Sequence, residues 1–183
     1  MNFEHLETNR LLLTGIFDPA MKHIFDTLPK PKIMELLGHR NSEEYLKERE
    51  KHLNGYASYN RSFMLFLLKD KNTNTIIGRC GLHNWNKDHR RAEIGYVMED
   101  EAFRGKGLMT EAVAAILQYG FTTLKLNRIE ALVGAENAAS LRIIEKHHFK
   151  QEGILKEHLQ TETGVEDSLL FALLQSEFLP KQV

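Results

Sequence analysis

In 183 residues the chain has one cysteine, one tryptophan and four prolines, and the scarcity of cysteine already removes a class of protein. The lone Cys80 cannot close an intramolecular disulfide, so the fold is no disulfide scaffold and fits a reducing compartment. Long apolar runs are missing too. Phe63 to Leu68 is among the longest, far below the ~20 residues that span a bilayer. The opening Met1-Asn2-Phe3-Glu4-His5 lacks the basic, apolar and small-residue pattern of a secretory signal, so a cytoplasmic protein without membrane contact is expected. Neither sign of charge is in excess: 24 Lys and Arg face 25 Asp and Glu, a formal net charge of -1. That balance, with no basic stripe, argues against a nucleic-acid partner, and any anion site must be local. The nine histidines form no His-Glu-x-x-His and no Cys-His cluster, so no metal centre is expected.

What is present is ordinary globular composition, 42% hydrophobic and 27% charged, without repeats or low-complexity tracts. A single domain over residues 1–183 is expected, large enough to hold together without staples. Seven segments rich in Leu, Ile, Val and Phe read as strands: Arg10 to Thr14, Phe63 to Lys69, Ile76 to His83, Arg91 to Met98, Arg128 to Gly134, Ile154 to Thr161 and Ser168 to Leu174. Asp70 to Asn74 and Glu162-Thr163-Gly164 read as hairpin turns. Four helices are interleaved. One covers Ala20 to Leu28; a second opens at the capping box Asn41/Glu44 and runs to about Tyr59. A third follows Gly107, with Leu108, Ala112, Ala115, Ile116 and Tyr119 at helical spacing, and the fourth runs from Asn137 to His148. The order predicts an α/β (α+β) domain: a single mixed, mostly antiparallel sheet covered by helices. Phe63 to Leu68 is expected in the core, with Cys80 an inert core thiol.

The most informative stretch runs from the strand ending Val97-Met98 through Arg104-Gly105-Lys106-Gly107 into Leu108-Met109-Thr110. Two glycines let backbone N–H groups approach a ligand closely, and the first helical turn adds unpaired donors and a positive dipole end. Arg104 and Lys106 supply cations, which together make a diphosphate cradle. A tight strand-to-helix connection with no ligand has the same local pattern. No Lys-Ser/Thr follows Gly107, which excludes a nucleoside-triphosphate P-loop, and a third glycine is lacking for the dinucleotide fingerprint.

Arg104-x-x-Gly107-x-Met109 resembles the acyl-CoA signature Q/R-x-x-G-x-G/A of the GNAT N-acetyltransferase superfamily. Asn137-x-x-Ser140, followed by Glu145 to Phe149 and Glu152-Gly153, is similar to its second motif, and Leu6-Glu7-Thr8-Asn9-Arg10-Leu11 resembles the opening strand of the RimJ/RimL branch. Two positions depart from the pattern. Met109 replaces a usual Gly or Ala, and His148 replaces a Gly whose positive φ would serve the turn before Phe149.

The resemblance implies acetyl-CoA as cosubstrate, its pyrophosphate on Arg104 to Thr110, its pantetheine beside Val97 and Met98, and Asn137 holding the arm. It further implies that the strands carrying Val97-Met98 and Ala131 to Val133 splay apart, and that a backbone N–H near Met98 meets the thioester carbonyl. Glu101 matches the position of the RimL general base, Glu93 is the second candidate, and Ser140 resembles the serine proposed to protonate the leaving thiolate. The implied acceptor is a protein N-terminal α-amine; such an amine, with a pKa of about 7.7 to 8.0, needs only modest base assistance. A small amine such as a polyamine, aminoglycoside or amino acid is the alternative, as is a non-catalytic CoA-binding sensor. Acidic Glu35, Glu43, Glu44, Glu157 and Glu162 could attract a cationic acceptor, with the acceptor pocket expected between Pro29 to Gly55 and the Glu157 to Gly164 hairpin. Trp85 and Tyr56 are equally open to lining that pocket or packing. A homo-oligomer is possible through the C-terminal strands.

Overall fold

The computed structural model describes residues 3–55, 61–161 and 164–179. Its strands are β1 (Glu4–Glu7), β2 (Leu11–Phe17), β3 (Ser62–Asp70), β4 (Ile76–Asn86), β5 (Arg91–Met98), β6 (Arg128–Gly134), β7 (Lys150–Thr161) and β8 (Gly164–Leu174). Its α-helices are α1 (Asp18–Thr27), α2 (Lys30–Leu37), α3 (Ser42–Asn54), α4 (Leu108–Thr122) and α5 (Ala138–Lys146). All eight strands form one sheet in the order β1-β2-β3-β4-β5-β6-β8-β7, antiparallel throughout except for β5 beside β6. The mixed, mostly antiparallel sheet expected from the sequence is therefore present, with one more strand and one more helix than the segments predicted.

Two cores sit on opposite faces of the sheet. Met64, Phe66 and Leu68 of β3 turn toward α4, where Ala112, Val113, Ile116 and Tyr119 are buried. Phe63 and Leu67 turn the other way and meet Met21 and Ile24 of α1 with Ile33 and Leu37 of α2. The side-chain period of two thus makes one unbroken apolar run serve both faces, as a central strand covered on both sides requires. Phe66 meets Tyr119 edge-on at 5.6 Å, a pairing that adds about 0.5–1.5 kcal/mol beyond burial. Cys80 and Trp85 are both buried in the α4-side core, and burial pushes the Cys80 thiol far up.

Local signals explain the helix boundaries. Asn41 Oδ1 accepts from Glu44 N at 3.0 Å, while the Glu44 carboxylate reaches past the cap to Arg40 N at 2.8 Å. The predicted end of this helix near Tyr59 lies outside the described residues, as do Tyr56 and Glu162. In α2 a proline stands at the helix start and Gly38 closes it in the left-handed region at φ 73°. His148 also takes φ 61°, so the turn that a glycine would make easily is made by an imidazole-bearing residue. There His148 N donates to Glu145 O and Phe149 N to Ile144 O.

Candidate active site

β5 and β6 keep register for only three pairs, Arg91 to Glu93 against Arg128 to Glu130. Past Glu93 the strands part: β5 stays with β4 as far as Met98 opposite Gly78, and β6 stays with β8 as far as Gly134 opposite Ser168. The β6-side edge of β5 from Ile94 to Met98 has no strand partner among the described residues. A wedge is left in the sheet, and one cleft opens on each side of β5.

The first cleft, of about 560 Å³, lies between the end of β5, the loop into α4, and α5. Val97, Met98, Arg104, Gly105, Gly107, Leu108, Met109 and Thr110 line one side, and Asn137 and Ser140 stand on the other. Gly105 and Gly107 have φ of 72° and 74°, a conformation costly for any residue with a Cβ. Gly107 starts α4 without a side-chain cap, so the first-turn N–H groups remain available to an anion. Lys106 does not line this cleft; its ammonium lies 5.3 Å above the Phe103 ring. Arg142 and Lys146, one turn apart on α5, do line it, and no carboxylate among the described residues does. With Arg104 they make a cationic channel that fits a phosphate-bearing chain.

The loop is braced from behind. Arg10 Nη1 donates to Lys106 O at 2.9 Å, and Arg10 Nε to Glu111 at 2.7 Å. Glu111 also accepts from Thr8 Oγ1 at 2.6 Å and Arg10 N at 2.8 Å. In a trans peptide the carbonyl and the next N–H point oppositely, so fixing Lys106 O toward Arg10 turns the Gly107 N–H toward the cleft. Burial pushes the Glu111 carboxyl up, yet these hydrogen bonds outweigh it and hold the group below the ordinary carboxylate range.

Glu101 sits in a short 3₁₀ turn, 81% exposed, and accepts from Arg104 Nη1 at 2.8 Å. It lines neither cleft on the two sides of β5. Asn137 caps α5, its Oδ1 accepting from Ser140 N at 3.0 Å. The Tyr96 hydroxyl donates to Ser140 O at 3.5 Å, and burial pushes this phenol up, keeping it protonated at neutral pH.

The second cleft, about 380 Å³, opens on the α1–α3 side and shares Tyr96 and Val97 with the first. Gly81 and Gly95, paired across β4 and β5, form a floor without side chains, and Met21, Phe63 and Leu65 give apolar walls. Its ionisable groups among the described residues are Glu48, Lys51, Arg79 and His83. Arg79 is committed to Glu48 and Glu99, each at 2.9 Å. None of the described residues of the 157–164 hairpin lines it, and Trp85 is packing. Glu35, Glu43 and Glu44 are paired with Lys32, Lys47 and Arg40 and face elsewhere. Beside the cleft, Glu93 is 16% exposed and accepts from His83 Nε2 at 3.1 Å and Asn84 Nδ2 at 2.9 Å. Burial pushes the Glu93 carboxyl up, but the His83 and Asn84 hydrogen bonds prevail and leave it below the ordinary range.

A braced glycine loop, a split sheet and two clefts meeting across one strand make up the candidate site. Residues 10–150 match the family described as acetyltransferase (GNAT) domain. The chain belongs to that family and is by class an acetyltransferase. It is 39% identical over 108 residues to the uncharacterized N-acetyltransferase p20 of Bacillus licheniformis, a match covering 59% of this chain and 60% of that protein. Against the uncharacterized N-acetyltransferase YoaA of Bacillus subtilis, identity is 29% over 94% of this chain and 98% of that one. Among solved structures, a ribosomal-protein-S5-alanine acetyltransferase from Vibrio fischeri superposes with TM-score 0.66 at 22% identity, covering 97% and 100% of the two chains. A dodecameric spermidine N-acetyltransferase from Vibrio cholerae gives 0.68 at 23%, covering 96% and 100%. At these identities the structures share the fold.

Proposed function

We propose that the protein transfers the acetyl group of acetyl-CoA directly to a primary amine, the N-terminal α-amine of a protein in particular. The observation that supports this most is the parting of β5 from β6 between two clefts that touch at Tyr96 and Val97. In this assignment the diphosphate rests on the N–H groups of Gly105 to Thr110, with Arg104, Arg142 and Lys146 neutralising phosphate charge. The pantetheine lies along the free edge of β5, with Asn137 and Ser140 on its far side. A backbone N–H near Met98 stabilises the oxyanion that develops when the amine attacks. Proton removal belongs to the Glu93 side, since Glu93 and His83 stand at the acceptor cleft while Glu101 is exposed and paired with Arg104. The departing thiolate is protonated from the Ser140 side, where the Tyr96 hydroxyl also stands.

The acceptor cleft favours an α-amine over a polyamine. Its described charges are of both signs, Glu48 is tied to Arg79, Glu93 beside it is held by His83 and Asn84, and its walls are apolar. A chain carrying several ammonium groups finds no matching row of carboxylates there, whereas a peptide end with an apolar first side chain fits. The test is thiol release from acetyl-CoA with peptides bearing free N-termini, N-blocked lysine peptides and polyamines. Turnover confined to free N-termini is expected; turnover confined to polyamines would refute the acceptor assignment, and none with any amine would refute the transfer itself.

A further inference from the structure

His83 was not singled out by any motif, and its geometry asks for more than packing. It is the register partner of Glu93 across β4 and β5, and its Nε2 lies 3.1 Å from Glu93 Oε1. An ionised carboxylate only accepts, so Nε2 carries the hydrogen, and in the neutral ring Nδ1 is left as a bare acceptor. Nδ1 makes no hydrogen bond to any described residue. The ring edge lies over the backbone of Gly95: a Cβ built there would come within 2.9 Å of Cε1 and 3.1 Å of Nδ1. Gly95 therefore clears the space in which the imidazole reaches across β5, beside Tyr96 and Val97 where the clefts meet. Behind it, Asn84 Nδ2 holds the second Glu93 oxygen at 2.9 Å, and Arg61 Nη1 donates to Asn84 Oδ1 at 3.3 Å.

We propose that His83 is the general base, taking the acceptor's proton at Nδ1, and that Glu93 is the positioning residue that fixes the ring. The proposal rests on the acetyl-transfer function above. The amine nitrogen forms a bond to the thioester carbon, its proton passes to Nδ1, and the C–S bond breaks with its electron pair on sulfur. The thiolate then takes a proton from the Ser140 side or water, and the imidazolium returns its proton to water. The other titratable and charged groups around it are Lys51 and Glu48 of α3, Arg79 of β4, Arg61 before β3, and His158 of β7, which acts on Glu93.

The test measures kcat and KM against pH for the wild type, His83→Gln, His83→Ala and Glu93→Gln, with a free-N-terminal peptide as acceptor. His83→Gln should lower kcat by about 100-fold or more while the KM for acetyl-CoA stays within about twofold. Added imidazole should restore part of the His83→Ala rate, an effect that lost packing would not produce. Glu93→Gln should retain more activity than His83→Gln, because the ring stays at the cleft and loses only the carboxylate that orients it. His83→Gln turnover within about threefold of wild type on an unchanged limb would overturn the proposal. So would a Glu93→Gln loss far exceeding that of His83→Gln. Absence of wild-type turnover would instead fail the transfer reading, so the two failures are told apart.

Discussion

Replacing Arg10 with alanine tests whether the glycine loop is held in its working shape from outside the cleft. Arg10 does not line the donor cleft, yet its guanidinium fixes Lys106 O and Glu111 at once. Charge-assisted hydrogen bonds contribute about 1.5–3 kcal/mol each when well buried. The Arg10 side chain is 43% exposed, so solvent screening lowers the stability loss to about 1–2 kcal/mol in all. Only the part that orients the Gly107 N–H acts on the donor, about 1 kcal/mol, the value of one ordinary hydrogen bond. That predicts a KM for acetyl-CoA raised about fivefold, with kcat and the acceptor KM little changed. S-acetylpantetheine, which has the thioester but no diphosphate, is the control. Its KM should be the same for Arg10→Ala and wild type. An equal rise for both donors, or none for acetyl-CoA, would refute the brace.

Arg142→Ala and Lys146→Ala should each raise the acetyl-CoA KM by about fivefold, the weight of about 1 kcal/mol for an exposed cation on phosphate, with the effect weakening in high salt; salt-insensitive kinetics would count against the channel. Glu101→Gln should leave the pH profile of kcat in place and lower the acetyl-CoA KM, since Arg104 is released from its ion pair; turnover lost selectively at acidic pH would return the base to Glu101. His148→Gly should stabilise the fold by about 0.5–1 kcal/mol in urea unfolding, because relief of left-handed strain exceeds the added chain entropy. Glu111, with its folded pKa below the ordinary 4.5, contributes stability that is complete above that value and lost as pH falls through the lower folded one. The stability gap between wild type and Glu111→Gln should accordingly close on acidification, as urea titrations at several pH values would show.

Where local physics decided, the sequence was readable to the residue: β5 and β6 end at Met98 and Gly134 as their apolar patterns stop. β1 escaped because only Leu6 of its four residues turns inward, and the start of β7 because Lys150 to Glu152 are exposed polar residues on an edge strand. α2 went unassigned, although proline at a helix start with glycine just past its end is a helix signal. Site residues divide in the same way. The glycine loop is contiguous and could be recognised locally, whereas His83 gains its meaning from the register that sets it opposite Glu93, which no single segment contains. Arg142 and Lys146 were within reach, since their spacing of four puts them on one face with the cap at Asn137.

The three-pair contact between β5 and β6 makes the sheet two antiparallel rafts, β1 to β5 and β6 to β8, riveted along one short seam. A donor chain laid into the wedge would act as a splint, supplying rungs that the polypeptide leaves out and tying one raft to the other. The catalytic cycle would then also be a cycle of mending and reopening the sheet: those amides of Ile94 to Met98 that face the wedge would be shielded from exchange while the donor is held and released when the free thiol product departs. The cosubstrate would be, for that interval, a ninth strand.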